Sequence, residues 1–223
     1  MSIHHHLDDA TVVAYAAGAL PAPIALVVSA HLSMCSGCRA RVRRAEAIGS
    51  AVLEDEAPVS LSAGCMNNMF ERLEAETRTD AAAPTLTLSE RHEEDCILPS
   101  QVRKALGIPF SEIQWKRIAK GVGMKTIDLG AEDEGKLYLL KIEAGRVLPE
   151  HGHGGSEVTL VLSGSYTDHH GTFGPGDIAD LDDHEDHQPI VDPGEDCICL
   201  VASETPAKFK GILPRIFQPV IGI

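Results

Sequence analysis

This sequence is short of positive charge. Against 33 Asp and Glu it carries 19 Lys and Arg, a formal net charge of −14. That balance disfavours direct contact with nucleic acid, whose phosphates demand a basic surface. It equally disfavours an anionic membrane surface and leaves a basic protein as the expected partner. No apolar run approaches the roughly 20 residues of a transmembrane helix. The opening MSIHHHLDDATVV lacks the basic-then-apolar layout of a secretory leader, so the chain is expected to stay in the cytoplasm. Cysteine is also sparse, six in 223 residues. Without an export signal these are not expected to form a disulfide framework. Metal binding or redox chemistry is the better first reading of the pair in CSGC.

What is present falls into two segments, and the length suffices for two small domains. Residues 7–77 read as helical. DDATVVAYAAGAL starts on Asp8 and Asp9 and is punctuated by Gly18 and Pro21. PAPIALVVSAHLSM, RARVRRAEAIGSAVLEDE and LSAGCMNNMFERLEAET continue the helical character. Such short helices make a thin core that a structural metal would help to hold. Residues 78–98 shift to small, polar and charged side chains without a period, as in a linker. Beyond about residue 100, KLYLLKIEAG, EVTLVLSGSYTD and DCICLVASE are short β-rich runs closed by turn residues. The expected architecture is an all-α zinc-binding helical bundle over 1–77, a linker over 78–98, and an all-β jelly-roll domain over 99–223. GILPRIFQPVIGI at the close reads as a further strand pair or an edge cover.

The first constellation lies in AHLSMCSGCRAR. His31, Cys35 and Cys38 stand at i, i+4 and i+7, positions that share one helix face, with Gly37 a candidate helix break. Structural zinc takes four ligands from Cys, His and carboxylate. The fourth is sought in the N-terminal His run, where His6 abuts the expected helix start; His4 and His5 are the alternatives. A CxxC pair alone could be reduced and without a role. A thioredoxin-like redox motif would need a βαβ setting that the pattern lacks.

The second constellation is GRVLPEHGHGGSEVTLVLSG. His151 and His153 alternate and so project to one face of an extended strand. Glu157 follows a glycine turn that can swing its carboxylate to the same side. FGPGDIADLDDHEDHQP then offers His184 and His187 as a fourth ligand. Imidazoles plus one carboxylate suit a divalent transition metal, Zn, Fe, Mn, Ni or Cu. The acidic stretch over 165–207 reads as a solvated face, and Cys197 and Cys199 as buried packing. Cys65, Cys96, His92, His169 and His170 are assigned no role.

HLSMCSGC, with an N-terminal histidine, resembles the zinc-binding anti-sigma domain over residues 1–77. The pattern at Gly145, His151, His153, Glu157 and Gly164 looks like the first cupin motif. The turn Pro175, Gly176, Asp177 followed by a histidine resembles the second, more loosely spaced than usual; family spacing favours His187 over His184. Together these resemble the ChrR-type anti-sigma factors over nearly the whole chain. The resemblance implies a regulator, not an enzyme. The N-terminal domain would hold an extracytoplasmic-function sigma factor inactive. It would release that factor on singlet oxygen or related oxidants, with the cupin as input module and a cupin-mediated dimer allowed. Implied cofactors are Zn2+ at His6, His31, Cys35 and Cys38, and a divalent metal at His151, His153, Glu157 and His187. The competing readings are a dioxygenase-like cupin metalloenzyme with a helical zinc appendage, and a sensor of the metal itself.

Overall fold

The computed structural model describes residues 2–79, 97–130, 135–152, 154–181, 186–204 and 208–209. Four helices come first: α1 (Asp9–Ala16), α2 (Ala22–Met34), α3 (Ser36–Glu54) and α4 (Cys65–Thr79). Asp8 caps α1 by accepting the Thr11 N–H at 2.6 Å, as the Asp-Asp start predicts. The turn between α2 and α3 differs from the reading. The break falls at Cys35, in extended conformation, not at Gly37, which lies inside α3. The reason is local: the Cys35 sulfur accepts the Cys38 N–H and so serves as the α3 cap.

A fifth helix, α5 (Ser100–Leu106), was not anticipated, because strands were expected from about residue 100. Pro99 precedes it and Gly107 closes it at φ +71°, the left-handed stop that favours glycine. A single 3-10 turn follows at Phe110–Glu112.

Twelve strands follow among the described residues: β1 (Lys116–Ala119), β2 (Val122–Thr126), β3 (Lys136–Ile142), β4 (His151–Gly152), β5 (Glu157–Ser163), β6 (Tyr166–Asp168), β7 (Gly171–Phe173), β8 (Ile178–Leu181), β9 (Asp186–His187), β10 (Ile190–Val191), β11 (Cys197–Ser203) and β12 (Lys208–Phe209). They form a six-stranded antiparallel sheet in the order β1-β2-β3-β11-β5-β8 and two three-stranded sheets, β10-β6-β7 and β12-β4-β9. This is the all-β cupin architecture below an α-helical layer. The segments 80–96 and 210–223, which hold most of the expected linker and the closing ILPRIFQP, lie outside the described residues.

The large sheet is covered on both sides, and strand periodicity shows how. Along β11, Ile198, Leu200 and Ala202 join a core shared with Val27, Val28 and Leu32 of α2. Cys197, Cys199 and Val201 face the other way, onto Tyr138, Tyr166 and Phe173 inside the barrel. All seven β11 residues are therefore buried. α2 is the helix that makes this layer: Val27 and Val28 are fully buried against β5 and β11. Each contributes on the order of 2 kcal/mol by leaving water. The helices and the sheet share one continuous apolar core. Among the described residues no helix is long and apolar enough to cross a membrane.

Candidate functional site

The junction of the first three helices gathers four ligand-type side chains. His6 precedes α1, His31 sits in the last turn of α2, Cys35 is the break, and Cys38 is in the first turn of α3. Their ligand atoms lie within 4.8 Å of one another. His6 Nδ1 is 3.4 Å from Cys35 Sγ and 3.6 Å from Cys38 Sγ. A tetrahedral zinc with ordinary Zn–S and Zn–N bonds sets such atoms about 3.6 Å apart.

His31 is buried, and its Nδ1 donates to the Gly176 carbonyl at 2.9 Å. That bond leaves Nε2 as the lone-pair nitrogen, and Nε2 is buried without a hydrogen-bond partner. An orphaned acceptor facing two thiols and a second imidazole is what a zinc ion would satisfy. Burial also lowers the His31 pKa from 6.5 to about 4, so the ring is neutral and able to ligate. Burial pushes the Cys38 thiol up, and neighbouring Cys35 adds to that. A bound divalent cation reverses this by holding coordinated sulfur as thiolate. Arg41 stands ready for the resulting negative charge. It reaches Cys38 Sγ at 3.9 Å and is anchored by Asp9 at 2.7 Å. His4 and His5 lie elsewhere: their main-chain N–H groups both donate to Asp177, and the His5 ring stacks on Phe173.

The second cluster is inside the barrel. β4 pairs with β9 so that His151 stands directly opposite His187, and their Nε2 atoms are 3.1 Å apart. Glu157, buried at the start of β5, completes a group whose ligand atoms lie within 4.8 Å of one another. His151 Nδ1 is held by the Pro149 carbonyl at 2.9 Å, so both rings turn Nε2 toward the common point. His153 and His184 lie outside the described residues. Two imidazoles and a carboxylate converging from three strands suit a hard-to-borderline divalent metal.

One residue of this centre escaped the sequence reading. Asp168, at the end of β6, accepts from His187 Nδ1 at 2.9 Å. Burial alone would raise its carboxyl. The His187 hydrogen bond and the His170 N–H outweigh that, and its pKa is lowered. Asp168 thus fixes the His187 tautomer and orientation. No motif spacing marks it, because it reaches the site from a neighbouring strand. Replacing it (Asp168→Asn) is expected to weaken metal binding at the cupin centre about tenfold to a hundredfold. Competition with a chelating dye measures this, and the His/Cys centre should keep its content.

Cys197 and Cys199 place their sulfurs 3.6 Å apart in the buried interior. Their mutual hydrogen bond and burial push Cys199 well up, which suits packing rather than reactivity.

Residues 103–206 match the family model of the ChrR cupin-like domain. The whole chain is similar to the anti-sigma-E factor ChrR of Cereibacter sphaeroides, 36% identical over 223 residues, 100% of both chains. It is also similar to the crystal structure of Rhodobacter sphaeroides SigE in complex with the anti-sigma ChrR. That match has a TM-score of 0.72 at 36% identity, covering 91% of this chain and 100% of that one. An RmlC-like cupin from Ralstonia eutropha matches at 19% identity and a TM-score of 0.41, over 46% of this chain and 69% of that one.

Proposed function

Because this chain belongs to the ChrR family of anti-sigma factors, we propose that it binds and inhibits an extracytoplasmic-function sigma factor through its helices. Release follows oxidative stress of the singlet-oxygen type, with the cupin as input module. The family is regulatory, and cupin enzymology is not its role. Zn2+ at His6, His31, Cys35 and Cys38 holds the sigma-binding fold. A divalent transition metal at His151, His153, Glu157 and His187 serves the input module. The chain works in the cytoplasm and touches no nucleic acid itself.

The observation that carries this reading is the surface of α4. Met66, Met69, Phe70 and Leu73 recur at i, i+3, i+4 and i+7, one helix face, and are 62%, 47%, 53% and 50% exposed. A groove lined by Ser62, Cys65, Asn68, Met69, Arg72 and Leu73 runs along it. Ile48, Val52 and Leu53 near the end of α3 are also exposed, at 64%, 61% and 73%. An exposed apolar face of this kind on an otherwise strongly acidic chain marks a protein-binding surface. Net charge −14 suits a basic, DNA-binding partner.

The test is binding of the full chain to a sigma factor of this class. Met69→Asp combined with Phe70→Asp should weaken binding by about thirtyfold or more, the size expected for losing buried anchors. Zinc content and helicity should not change. Undiminished affinity would overturn the assigned face, and failure of the parent chain to bind would overturn the anti-sigma reading. For the input module, Glu157→Gln in the complex should blunt release by a singlet-oxygen generator; normal release would remove the cupin metal from the pathway.

A further inference from the structure

The turn between β7 and β8 carries polar contacts from the cupin to the zinc centre. Gly176 supplies the carbonyl that orients His31, at 2.9 Å. The next residue, Asp177, accepts the His4 and His5 N–H groups with one carboxylate oxygen at 2.6 and 2.9 Å. Its other oxygen accepts the Gly174 N–H at 2.9 Å and so braces the turn itself. Further along, Ile178 N–H donates to the His5 carbonyl at 3.4 Å. Asp180 accepts from Asp8 N–H at 3.0 Å and from Thr11 Oγ at 3.2 Å. The segment that delivers His6 is therefore laid along this turn and the start of β8 on both sides of the ligand.

Space at the turn is equally committed. Gly176 has φ +91°, and a Cβ there would sit 2.9 Å from Ile3 Cδ1 and 3.4 Å from Met34 Cε. The turn is in turn tied to β5. Gly176 N–H donates to the Val161 carbonyl at 2.9 Å, and Val161 N–H to the Asp177 carbonyl at 3.0 Å. β5 begins with Glu157, which stands opposite Leu181 of β8 in the ladder. One short strand thus connects a ligand of the cupin centre to the support of two ligands of the other.

We propose that Asp177 and the Gly176 carbonyl are positioning groups for the zinc centre, through which the cupin sets how tightly the helical layer keeps its metal. This rests on the His6–His31–Cys35–Cys38 cluster holding zinc and does not depend on which partner binds α4. The physical basis differs between the two groups. The Gly176 carbonyl, bonded behind the His31 ring, fixes its tautomer and aim. Asp177 instead pins the main chain at His4 and His5, which leads directly into His6. The two metal centres are then coupled through a shared element, and the coupling is reciprocal.

The test uses the zinc-loaded full chain and reads alkylation of Cys35 and Cys38 by iodoacetamide, peptide by peptide in a mass spectrometer. Asp177→Leu should speed their modification about tenfold, the size expected for losing a hydrogen bond to a charged acceptor on the segment that carries His6. Asp177→Asn should fall between the parent and Asp177→Leu, because an amide oxygen still accepts from His4 and His5 while its NH2 cannot accept the Gly174 N–H. Cupin metal content and the protection of Cys197 and Cys199 should be unchanged in both. A folded Asp177→Leu chain with an unchanged rate overturns the proposal. Should that variant fail to fold, the smaller change Asp177→Ala carries the test: it removes the same acceptors, should still speed modification, and overturns the proposal if it does not. A parent chain that holds no zinc and exposes Cys35 and Cys38 overturns the zinc reading as well, so the two failures are distinguishable.

Discussion

Cys38→Ser will strip the helical layer of its zinc, let α1 and α3 unfold and abolish sigma capture. The reason is how little else holds them. α1 buries only Val12, and α3 only Cys38 and Val42 along 19 residues. Two such contacts do not offset the entropy of ordering a helix of that length. A structural zinc in a small domain is worth roughly 10–16 kcal/mol of apparent binding free energy, and that energy is folding energy. α2 should behave differently. Its seven buried residues pack on β5 and β11, so its position depends on the apolar core rather than on the metal. Hydrogen exchange on the full-length variant checks this: protection should vanish in α1 and α3 and persist in α2 and β11. Retained protection in α3 would mean that the site is a minor staple. Uniform loss, α2 included, would mean that the metal supports the whole layer.

Residue type and spacing made the ligands visible, and topology hid their supports. His31, Cys35 and Cys38 share a stretch of eight residues, and His151 and Glu157 share another, so each set announces itself locally. Asp168, Asp177 and the Gly176 carbonyl act on those ligands from distant positions. Asp177 is 173 residues from His4, and no periodicity encodes such a contact. The continuous core of helices and sheet was legible in part. DCICLVAS is apolar at nearly every position, the pattern of a strand covered on both faces. Read simply as a strand, it left the helices without a neighbour. α5 was missed because SQVRKAL is too short for a helical period to stand out, although Pro99 and Gly107 bracket it. The exposed face of α4 was present as an amphipathic pattern, but only the structure shows that this apolar side is turned to solvent.

Acid should weaken the helical layer well before it disturbs the barrel, and His31 is the reason. Its ring is fully buried, and its pKa falls from 6.5 to about 4. Burial is the main cause and the nearby His6 adds to it, against the opposing Gly176 carbonyl and Asp177. Above the unfolded value of 6.5 neither state binds the proton, and His31 is indifferent to pH. As pH falls below it, the unfolded chain takes up a proton that the folded chain refuses, so stability drops with pH. The drop ends near the folded value and amounts to about 3 kcal/mol. Bound zinc works in the same direction, because protons compete with the metal for both imidazoles and both thiolates. Urea midpoints of the metal-free full chain should therefore decline from about pH 7 to about pH 4, the window between the unfolded and folded values. His31→Asn should flatten that decline, since its amide does not titrate there. An equally steep decline in His31→Asn would move the acid sensitivity to another group and leave the buried ring as a ligand without a pH role.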